Sequence, residues 1–552
     1  MNWIASTRIG PRLLAGFSVL LLIIVFGSVI SALLPFSVAA TGIFGSLATL
    51  WVIAQRADVS VFAINLITGM GLGLGIDYAL LVVNRFREEI ARGHTPAEAV
   101  ERTVATAGRT VVVSGLTVAI VLGSLLLFPL YFLKSFGYAG ISVTLFAVIA
   151  SVTALPALLA VLGHRVDKLK VRRGTLAPKD TGMWSRIARA VMRYPVPVLL
   201  LTVIGLGALA APFTSAEFTQ TDARVLPADN PAARATATLA ADFPGQEGSP
   251  ISVILPGAVG ETSQIDSYAA TISALPDVVR VEGPAGLYQQ GAKVADNPQA
   301  AAFTHGKDAR LSIISDLPPL SSEARGQIDD IRAVDNNFDS VLVGGVGASF
   351  TDAQHALFER GKLVLVWVGV ATLFVLFLYT GSVVLPLKAV ALNVLSLSAT
   401  MGMLVLIFQE GHLGWLVGDF TVTGGIDTSM AILIAIVTFA LSMDYEVFLL
   451  SRIKEEHDAG LDSTEAVALG LQRSGRIITA AALMLAVVFA AFVTSGVTSI
   501  KQLGVGVAFA IILDATVVRG LLVPALMRLM GRWNWWAPAP LRAFHARFGL
   551  SD

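Results

Sequence analysis

The sequence predicts a polytopic α-helical membrane protein with about eleven transmembrane helices in two pseudo-symmetric halves and one ferredoxin-like α+β domain outside the membrane. Of the 552 residues, 55% are hydrophobic and only 14% are charged, and the mean hydropathy is +0.73. Soluble domains carry about 25% charged residues. A fifteen-residue pattern occurs twice, and a long acidic stretch separates the apolar runs. These observations predict, in turn, the membrane location, the two halves and the external domain.

Eleven apolar runs are long enough to cross a bilayer in a window of about 19 residues. They cover residues 11–30, 32–54, 61–83, 110–133, 137–162, 194–212, 361–379, 383–408, 428–450, 476–495 and 501–526. The runs divide the chain into a first membrane half of five spans, a basic loop, a connecting span, the external domain, a second membrane half of five spans and a tail. These parts are residues 1–163, 164–193, 194–212, 213–359, 360–530 and 531–552.

The charges of the loops predict the orientation. Residues 164–193 hold nine Lys or Arg against two Asp, whereas residues 213–359 hold nineteen Asp or Glu against eight Lys or Arg. Cytoplasmic loops are enriched in Lys and Arg. The basic loop and the C-terminal tail are therefore predicted to face the cytoplasm, and the acidic domain to lie on the opposite side of the cell (inner or plasma) membrane.

Within residues 213–359 the pattern alternates strands and helices. Strands are predicted at 251–255, 278–281, 310–314 and 341–343, and helices at 265–275 and 322–334. Two β-α-β units in series are typical of the split, ferredoxin-like arrangement. The stretch 284–309 contains Gly, Pro and Gln and is predicted to be a mobile loop.

The repeated pattern places a carboxylate inside each of two predicted spans. The first copy, residues 75–89, reads GIDYALLVVNRFREE, and the second, residues 442–456, reads SMDYEVFLLSRIKEE. Each Asp stands about two helical turns before the charged end of its span. A charge inside hydrocarbon costs roughly 2.5–3.5 kcal/mol on insertion scales. A duplicated Asp-Tyr pair at this depth therefore predicts a functional acid site rather than two helix ends that snorkel to water.

The two copies stay in step beyond the motif. Gly93 matches Gly460 and Glu98 matches Glu465, at the same offset of 367 residues. The halves therefore form a parallel repeat, of the type related by an axis along the membrane normal. A span and an external domain precede the second half, whereas only about ten residues precede the first. We therefore expect a chain shortened by one span and one domain, as a truncated form, a misassigned start or half of a split system.

Four side chains form a predicted proton relay: Asp77, Tyr78, Asp444 and Tyr445. If the two motif helices meet at the pseudo-twofold axis, each phenol can donate a hydrogen bond to the carboxylate of the other half. Such a bond satisfies a buried acceptor that is otherwise costly. A buried carboxylate that water can reach from each side of the membrane in turn can carry protons across it. The alternative interpretation is a purely structural polar cluster.

Small residues precede both acids and are predicted to let neighbouring helices pack closely. Gly71 and Gly75 lie four residues apart, on one helical face, as at close helix–helix contacts in membranes. The small residues of the two copies are Gly71, Gly73, Gly75, Thr438, Ala440 and Ser442. Their expected consequence is that the two acid-bearing helices sit against each other.

Three further polar residues are weaker candidates for the site. Ser114 could form a hydrogen bond between helices, which is the commoner reason for such a residue in a membrane. Glu446 follows the second Asp-Tyr pair but lies on another helical face, and its counterpart in the first copy is Ala79. Asp514 could pair with Arg519 or snorkel to water.

The composition argues against several kinds of chemistry. The chain has no cysteine, which excludes disulfides, a thiolate nucleophile and Cys-ligated metals. Its seven histidines show no i, i+4 pairing, so no metal site is predicted. No nucleotide-binding motif is present, which argues against ATP-driven pumping, and neither a cofactor nor a nucleic-acid partner is predicted.

Both motifs are followed by a Gly-Arg step and by a helix that ends near Pro-Ala-Leu, and together they resemble the mycobacterial membrane protein large (MmpL) family of the resistance–nodulation–division (RND) superfamily. The resemblance covers essentially the whole membrane portion. It implies an RND-type bundle, a proton-relay role for the two Asp-Tyr pairs, and a porter-like role for residues 213–359 in collecting a lipidic substrate. The chain departs from the family pattern by lacking the first span and the first external domain, so a complete substrate tunnel is not implied for this chain alone.

The leading functional prediction is proton-motive-force-driven export of a lipid or hydrophobic small molecule across the inner membrane. The predicted partners are this substrate, protons and the lipid bilayer, with a second copy of the chain or an accessory membrane protein as further candidates. The alternatives are a non-transporting, sterol-sensing-like receptor or scaffold, and an incomplete half that needs a partner chain. An enzyme is not predicted, because the external domain shows no recognisable nucleophile–base spacing.

Overall fold

The computed structural model describes residues 22, 23, 26–168, 182–227, 229–242 and 247–549. The chain divides into two compact units. The helical unit comprises Met1–Ala216, Arg360–Gly424 and Ser429–Asp552, apart from the residues outside that description. The mixed unit comprises Glu217–Glu359 and Gly425–Thr428.

Ten helical segments in the described residues are long and apolar enough to cross a membrane. They are Val29–Ala54, Ala63–Ala91, Pro96–Leu127, Tyr131–Asp167, Pro195–Ser215, Val346–Thr380, Val384–Gln409, Thr428–Asp458, Ser463–Thr494 and Thr498–Trp535. Each coincides with one of the predicted apolar runs, so the prediction of a polytopic helical membrane protein is confirmed. The remaining predicted span, residues 11–30, lies largely outside the described residues.

Turns of other geometry divide several of these segments into shorter α-helices. In chain order the α-helices are α1 Val29–Ala54, α2 Ala63–Ala91, α3 Pro96–Thr103, α4 Arg109–Gly123, α5 Tyr131–Val152, α6 Ala154–Leu162, α7 Met183–Arg193, α8 Pro195–Ala210, α9 Pro231–Asp242, α10 Thr262–Ser273, α11 Ser322–Ala333, α12 Val346–Thr380, α13 Val384–Leu404, α14 Gly414–Val417, α15 Thr428–Asp458, α16 Ser463–Ala490, α17 Thr498–Leu513, α18 Val523–Met530 and α19 Ala539–Phe548. The two acid-bearing motifs lie in the interiors of α2 and α15.

The helix boundaries repeat at the offset of the motif. The segments Pro96–Leu127 and Ser463–Thr494 begin and end 367 residues apart. Gly93 and Gly460, in the turns just before these segments, have φ angles of +92° and +96°. Glycine adopts this conformation without the steric cost of a Cβ. The turn that follows each acid-bearing helix is therefore built in the same way in both halves.

The last membrane segment contains a π-helical turn, Asp514–Leu522, between α17 and α18. In π geometry the hydrogen bonds join residues five apart, and such turns occur frequently at functional sites. Asp514 and Arg519 are five apart in this turn. Both are buried, with 5% and 2% of their surface exposed. The turn therefore directs an acid and a base into the interior together.

The mixed unit contains one antiparallel sheet with the strand order β5-β4-β3-β7-β2-β8. The strands of the unit are β1 Phe218–Thr219, β2 Ile251–Leu255, β3 Val278–Glu282, β4 Leu287–Gln289, β5 Ala292–Ala295, β6 Thr304–His305, β7 Asp308–Ser315, β8 Leu342–Gly344 and β9 Ile426–Asp427. The helix α10 connects β2 to β3, and α11 connects β7 to β8. Because β2 lies between β7 and β8, and β3 pairs with β7, the two β-α-β units interleave as predicted. The ferredoxin-like α+β fold is confirmed.

Buried and partly buried residues alternate along β2, and the buried ones lie in the hydrophobic core of this unit. In β2 every second residue is buried, namely Ile251, Val253 and Leu255. They pack with residues of β7, α10 and α11 in one cluster. At the edge of the cluster the Tyr288 hydroxyl donates a hydrogen bond to Asp266. Burial first, and then this hydrogen bond, raise the pKa of Tyr288 above its ordinary value.

The stretch 284–309, predicted to be a mobile loop, instead contains the strands β4, β5 and β6, the start of β7 and a 3₁₀ turn, Ala300–Phe303. The strands β4 and β5 form a hairpin through Gln290 and Gly291, which have φ angles of +47° and +83°. Two consecutive residues with positive φ are typical of the type I′ turn that joins adjacent antiparallel strands. The Gln-Gly pair between Leu-Tyr-Gln and Ala-Lys-Val was the signal for this hairpin.

Candidate proton-relay site

The two acid-bearing helices bury both Asp-Tyr pairs. The exposed fractions are 8% for Asp77, 2% for Tyr78, 6% for Asp444 and 6% for Tyr445. Each pair stands in the middle of a helix of 29 or 31 residues. A carboxylate buried among apolar helices needs hydrogen bonds or a counter-charge. The partners of these four side chains therefore determine what the site can do.

A hydrogen bond joins the two halves through Tyr445 and Asp77. The Tyr445 hydroxyl donates to Asp77 Oδ2 at 2.5 Å. This length is typical of a bond from O–H to a charged oxygen, which is about twice as strong as a neutral one. The other carboxylate oxygen, Oδ1, has no hydrogen-bond partner among the described residues. Asp77 therefore keeps one oxygen available to a proton or to water.

The second expected hydrogen bond, from Tyr78 to Asp444, does not form in this structure. The Tyr78 hydroxyl is buried close enough to Ser114 and Asp444 to interact with both, but among the described residues its geometry toward either falls short of a hydrogen bond. The Ser114 hydroxyl likewise has no partner in that part of the chain. The two Asp-Tyr pairs therefore have the same sequence and different hydrogen bonding.

A cavity of about 30 Å³ opens beside both pairs, and we call it the acid cavity. It is lined by Asp77, Tyr78, Leu81, Thr110, Val111, Ser114, Asp444, Tyr445, Phe448, Ile477, Ile478 and Ala481. A volume above roughly 10–15 Å³ holds a water molecule if polar partners are present. The unpartnered oxygens of Asp77, Tyr78 and Ser114 supply such partners. The acid cavity can therefore bring water to both carboxylates.

A second cavity of about 10 Å³, the polar cavity, also touches Tyr445. It is lined by Asn393, Ser396, Leu397, Thr438, Phe439, Leu441, Ser442, Tyr445, Ala510, Ile511 and Asp514. Its volume is near the lower limit for one water molecule. Of the four residues in the two Asp-Tyr pairs, only Tyr445 lines both cavities.

Asp514 and Arg519 form a buried ion pair next to Tyr445. Arg519 also donates a hydrogen bond to the Ser442 carbonyl at 3.1 Å, and its guanidinium carbon lies 4.8 Å from the centre of the Tyr445 ring. A guanidinium at this distance is attracted to the face of an aromatic ring. Of the two outcomes that the sequence left open for Asp514, pairing and snorkelling, the structure shows pairing. Arg519 thereby places a positive charge against the phenol that holds Asp77.

Sequence reasoning also missed Lys388, a buried basic group in α13. It is 6% exposed, and its Nζ has no hydrogen-bond partner among the described residues. The charge that acts on it is that of Glu446, which is 4% exposed and has one oxygen, Oε1, without a hydrogen-bond partner among the described residues. The available signal was a lone lysine within the apolar run at 383–408, where a charge is rarely accidental.

The small residues before the acids pack against several neighbours. A Cβ added to Gly75 would lie 2.7 Å from the Ala39 backbone nitrogen, so the backbone that approaches Gly75 is that of α1 and not that of α15. A Cβ on Gly71 would meet Ile43, also in α1, and one on Gly73 would overlap the end of Leu485 in α16. In the second copy, Thr438 and Ser442 line the polar cavity and Ala440 is fully buried.

Replacing Gly75 with alanine is expected to destabilise the chain by about 1–3 kcal/mol, as overpacking of a tight core does. The reason is that the new methyl group would press on the Ala39 backbone, which cannot move without shifting α1. Gly73→Ala is the matched control, because Leu485 can change its rotamer and because alanine favours a helix over glycine by about 1 kcal/mol. Thermal unfolding of the full chain in detergent measures both variants. Equal losses of stability would contradict this account of Gly75.

Known membrane proteins are similar to this chain over almost its whole length. The model of the MMPL family matches residues 14–198 and 224–548. A membrane protein of Streptomyces coelicolor is 41% identical over 96% of this chain and 71% of its own length. The trehalose monomycolate exporter MmpL3 of Mycobacterium tuberculosis is 36% identical over 96% of this chain, which spans 59% of the exporter's length.

A solved structure shows the same fold. The crystal structure of SecDF in its super-membrane-facing form superposes with a TM-score of 0.51 at 15% identity, over 94% of this chain and 61% of SecDF. At this level of identity the likeness concerns the fold alone. The family match covers most of the sequence, and relatives at 36–41% identity align over 96% of it. The chain belongs to the MMPL family.

Proposed function

We propose that this chain couples the inward movement of protons to the export of a lipid or another hydrophobic small molecule. The observation that carries the proposal is the hydrogen bond between Tyr445 and Asp77 at a cavity that Tyr78 and Asp444 also line. Membership of the MMPL family supports transport, and the name of the mycobacterial relative as a trehalose monomycolate exporter supports a lipid as the substrate.

The proton would move between water in the acid cavity and the carboxylates of Asp77 and Asp444. A charged Asp77 accepts a strong hydrogen bond from Tyr445. A protonated carboxylic acid is itself a donor and accepts more weakly. Uptake of a proton therefore changes the bond that joins α2 to α15, and release restores it.

Arg519 gives this change a second consequence. Its charge faces the Tyr445 ring and is paired with Asp514. When Asp77 or Asp444 loses its charge, the electrostatic attraction toward Arg519 is lost, and in a low-dielectric interior such an attraction is large compared with its value in water. Protonation would thus shift the balance between two arrangements of the halves, and alternation between them is the proposed transport step.

We also infer the orientation of the chain in the cell membrane. The basic loop 164–193 and the C-terminus would lie in the cytoplasm, and the region 213–359 would be an extracytoplasmic, porter-like domain that contacts the substrate. The support is the charge asymmetry of these segments together with the rule that cytoplasmic loops are rich in Lys and Arg. Protons would then enter from the side of the acidic domain.

Proton flux measured in vesicles tests the proposal. The full chain is reconstituted with a pH-sensitive dye inside the vesicles, a pH gradient is imposed, and trehalose monomycolate is added as the probe. We expect the gradient to decay faster than in protein-free vesicles, and faster again when the probe is present. Binding of the probe without proton flux would indicate a receptor, and flux that ignores the probe would indicate an uncoupled leak. Either outcome would contradict coupled export.

A further inference from the structure

Residues 531–549 begin at the end of the last membrane segment, Thr498–Trp535, and form a short turn and a helix whose role is not explained by the relay. The turn is a 3₁₀ helix, Gly531–Trp535, and the helix is α19, Ala539–Phe548. We call these residues the C-terminal segment. No aspartate or glutamate occurs between Asp514 and Asp552, whereas the C-terminal segment holds Arg532, Arg542 and Arg547.

Specific hydrogen bonds fix the start of the C-terminal segment at the ends of membrane helices. The Ser382 hydroxyl donates to the Asn534 carbonyl at 2.6 Å, and the Val383 amide donates to the Trp536 carbonyl at 3.1 Å. Both donors lie in the turn between α12 and α13. The Trp535 ring stacks on His457, near the end of α15, with 4.3 Å between ring centres. The segment is therefore held at the level where several spans end.

The helix α19 itself has little protein around it. Each of its side chains is exposed except that of His545, which is half-buried against Phe377. Leu541, Phe544 and Phe548 are 39%, 39% and 53% exposed, and their spacing of three and four residues places them on one helical face. An isolated helix of fewer than about 12–15 residues is marginal in water. The apolar face of α19 therefore needs a partner.

We propose that the C-terminal segment lies in the headgroup layer of the membrane and binds anionic lipids. Its apolar face would enter the boundary of the acyl chains, as in other interfacial amphipathic helices. Trp533 and Trp536 are exposed by 58% and 46%, and tryptophan is enriched at the membrane–water interface. The arginines on either side of the apolar face would meet the lipid phosphates.

The charges favour a lipid surface over a second copy of the chain. Two copies of this segment facing each other would bring their arginines together without an acidic residue to neutralise them. An anionic leaflet supplies the opposite charge. Each Lys or Arg near such a surface strengthens membrane binding about fivefold. The position at the ends of the spans also places the segment next to the headgroups without any movement of the chain.

Spin labels on single cysteines can test this proposal, since the natural sequence has no cysteine to remove. The variants Leu541→Cys, Phe544→Cys and Phe548→Cys probe the apolar face, and Ala543→Cys on the opposite face is the matched control. Each full-length variant is reconstituted in vesicles of phosphatidylcholine alone or with phosphatidylglycerol. We expect the first three labels to be accessible to oxygen and shielded from a water-soluble nickel chelate, and the control label to show the reverse.

The second part of the experiment varies the lipid composition, the salt concentration and the arginines. The three labels are expected to be better shielded from the nickel chelate when phosphatidylglycerol is present. This shielding should weaken at high salt, and it should also weaken in the double variant Arg542→Gln/Arg547→Gln. Arg234→Gln, which removes a positive charge from the mixed unit, should have no effect. Labels equally exposed to water on both faces would overturn the proposal. Labels shielded from both oxygen and the chelate in every lipid would also overturn it, because they would show a protein partner.

Discussion

Replacing Asp77 with asparagine is expected to bring proton-driven transport down to the level of protein-free vesicles while leaving the chain folded. Asparagine has nearly the same shape, and its amide oxygen can still accept the hydrogen bond from Tyr445. It cannot, however, release or take up a proton. Proton flux under an imposed gradient measures the effect, and thermal unfolding checks the fold.

The matched control for Asp77→Asn is Glu88→Gln, which removes a carboxylate near the end of the same helix, where 25% of the side chain is exposed. This control should transport like the natural chain. If Asp77→Asn retained the same flux as the control, the relay would have to be placed elsewhere.

A milder pair of variants tests the asymmetry between the two phenols. Tyr445→Phe removes the donor of the 2.5 Å bond to Asp77, and a hydrogen bond to a charged group is worth about 1.5–3 kcal/mol, or roughly 10–150-fold in rate. Tyr78→Phe removes a hydroxyl that lies beside Asp444 without forming a hydrogen bond to it, and should slow transport much less.

Replacing Arg519 with methionine is expected to lower the stability of the chain by about 3–5 kcal/mol, because breaking a buried ion pair leaves the other charge without compensation. The charge left behind is that of Asp514, which is 5% exposed. The loss would appear as a lower midpoint of thermal unfolding and a lower yield of folded protein. Arg189→Met is the control, because 47% and 52% of the two side chains in its ion pair with Glu465 are exposed, and such surface pairs are worth about 0–1 kcal/mol.

A double variant separates the structural and functional roles of this ion pair. Asp514→Leu/Arg519→Met removes both charges, and apolar residues in place of a buried pair are often neutral or stabilising. Most of the stability should return. Transport should not return, because the positive charge against Tyr445 is still missing. Recovery of both properties would show that the pair only holds the fold.

Much of the fold could be predicted because its signals extend over many residues. Ten apolar runs coincide with membrane helices, since hydropathy over about 19 residues is insensitive to single exceptions. For the same reason the averaging hid Lys388, whose single charge is outweighed by its apolar neighbours. The strands and helices of the mixed unit followed from alternation and capping residues, whereas the hairpin at Gln290 depends on a two-residue turn that is a weaker signal.

The site could be predicted in part for a related reason. The duplication drew attention to Asp77 and Asp444 without any knowledge of their surroundings. It also suggested that both phenols would behave alike, whereas Tyr445 forms a hydrogen bond to the carboxylate of the other half and Tyr78 lies beside Asp444 without forming one. Which helix packs on Gly75, and which partner a hydroxyl finds, depend on side-chain positions in three dimensions that a periodic pattern does not contain.

The repeat doubles the helices but does not double the charges. Glu446, Asp514 and Arg519 are all buried in the second half, and the residues at the same offset in the first half are Ala79, Ala147 and Val152. The chain thus resembles a heterodimer fused end to end, in which only one partner carries these three buried ions. A proton on Asp77 and a proton on Asp444 are therefore not equivalent, because the repeat that relates the two acids does not reproduce the buried ions around them.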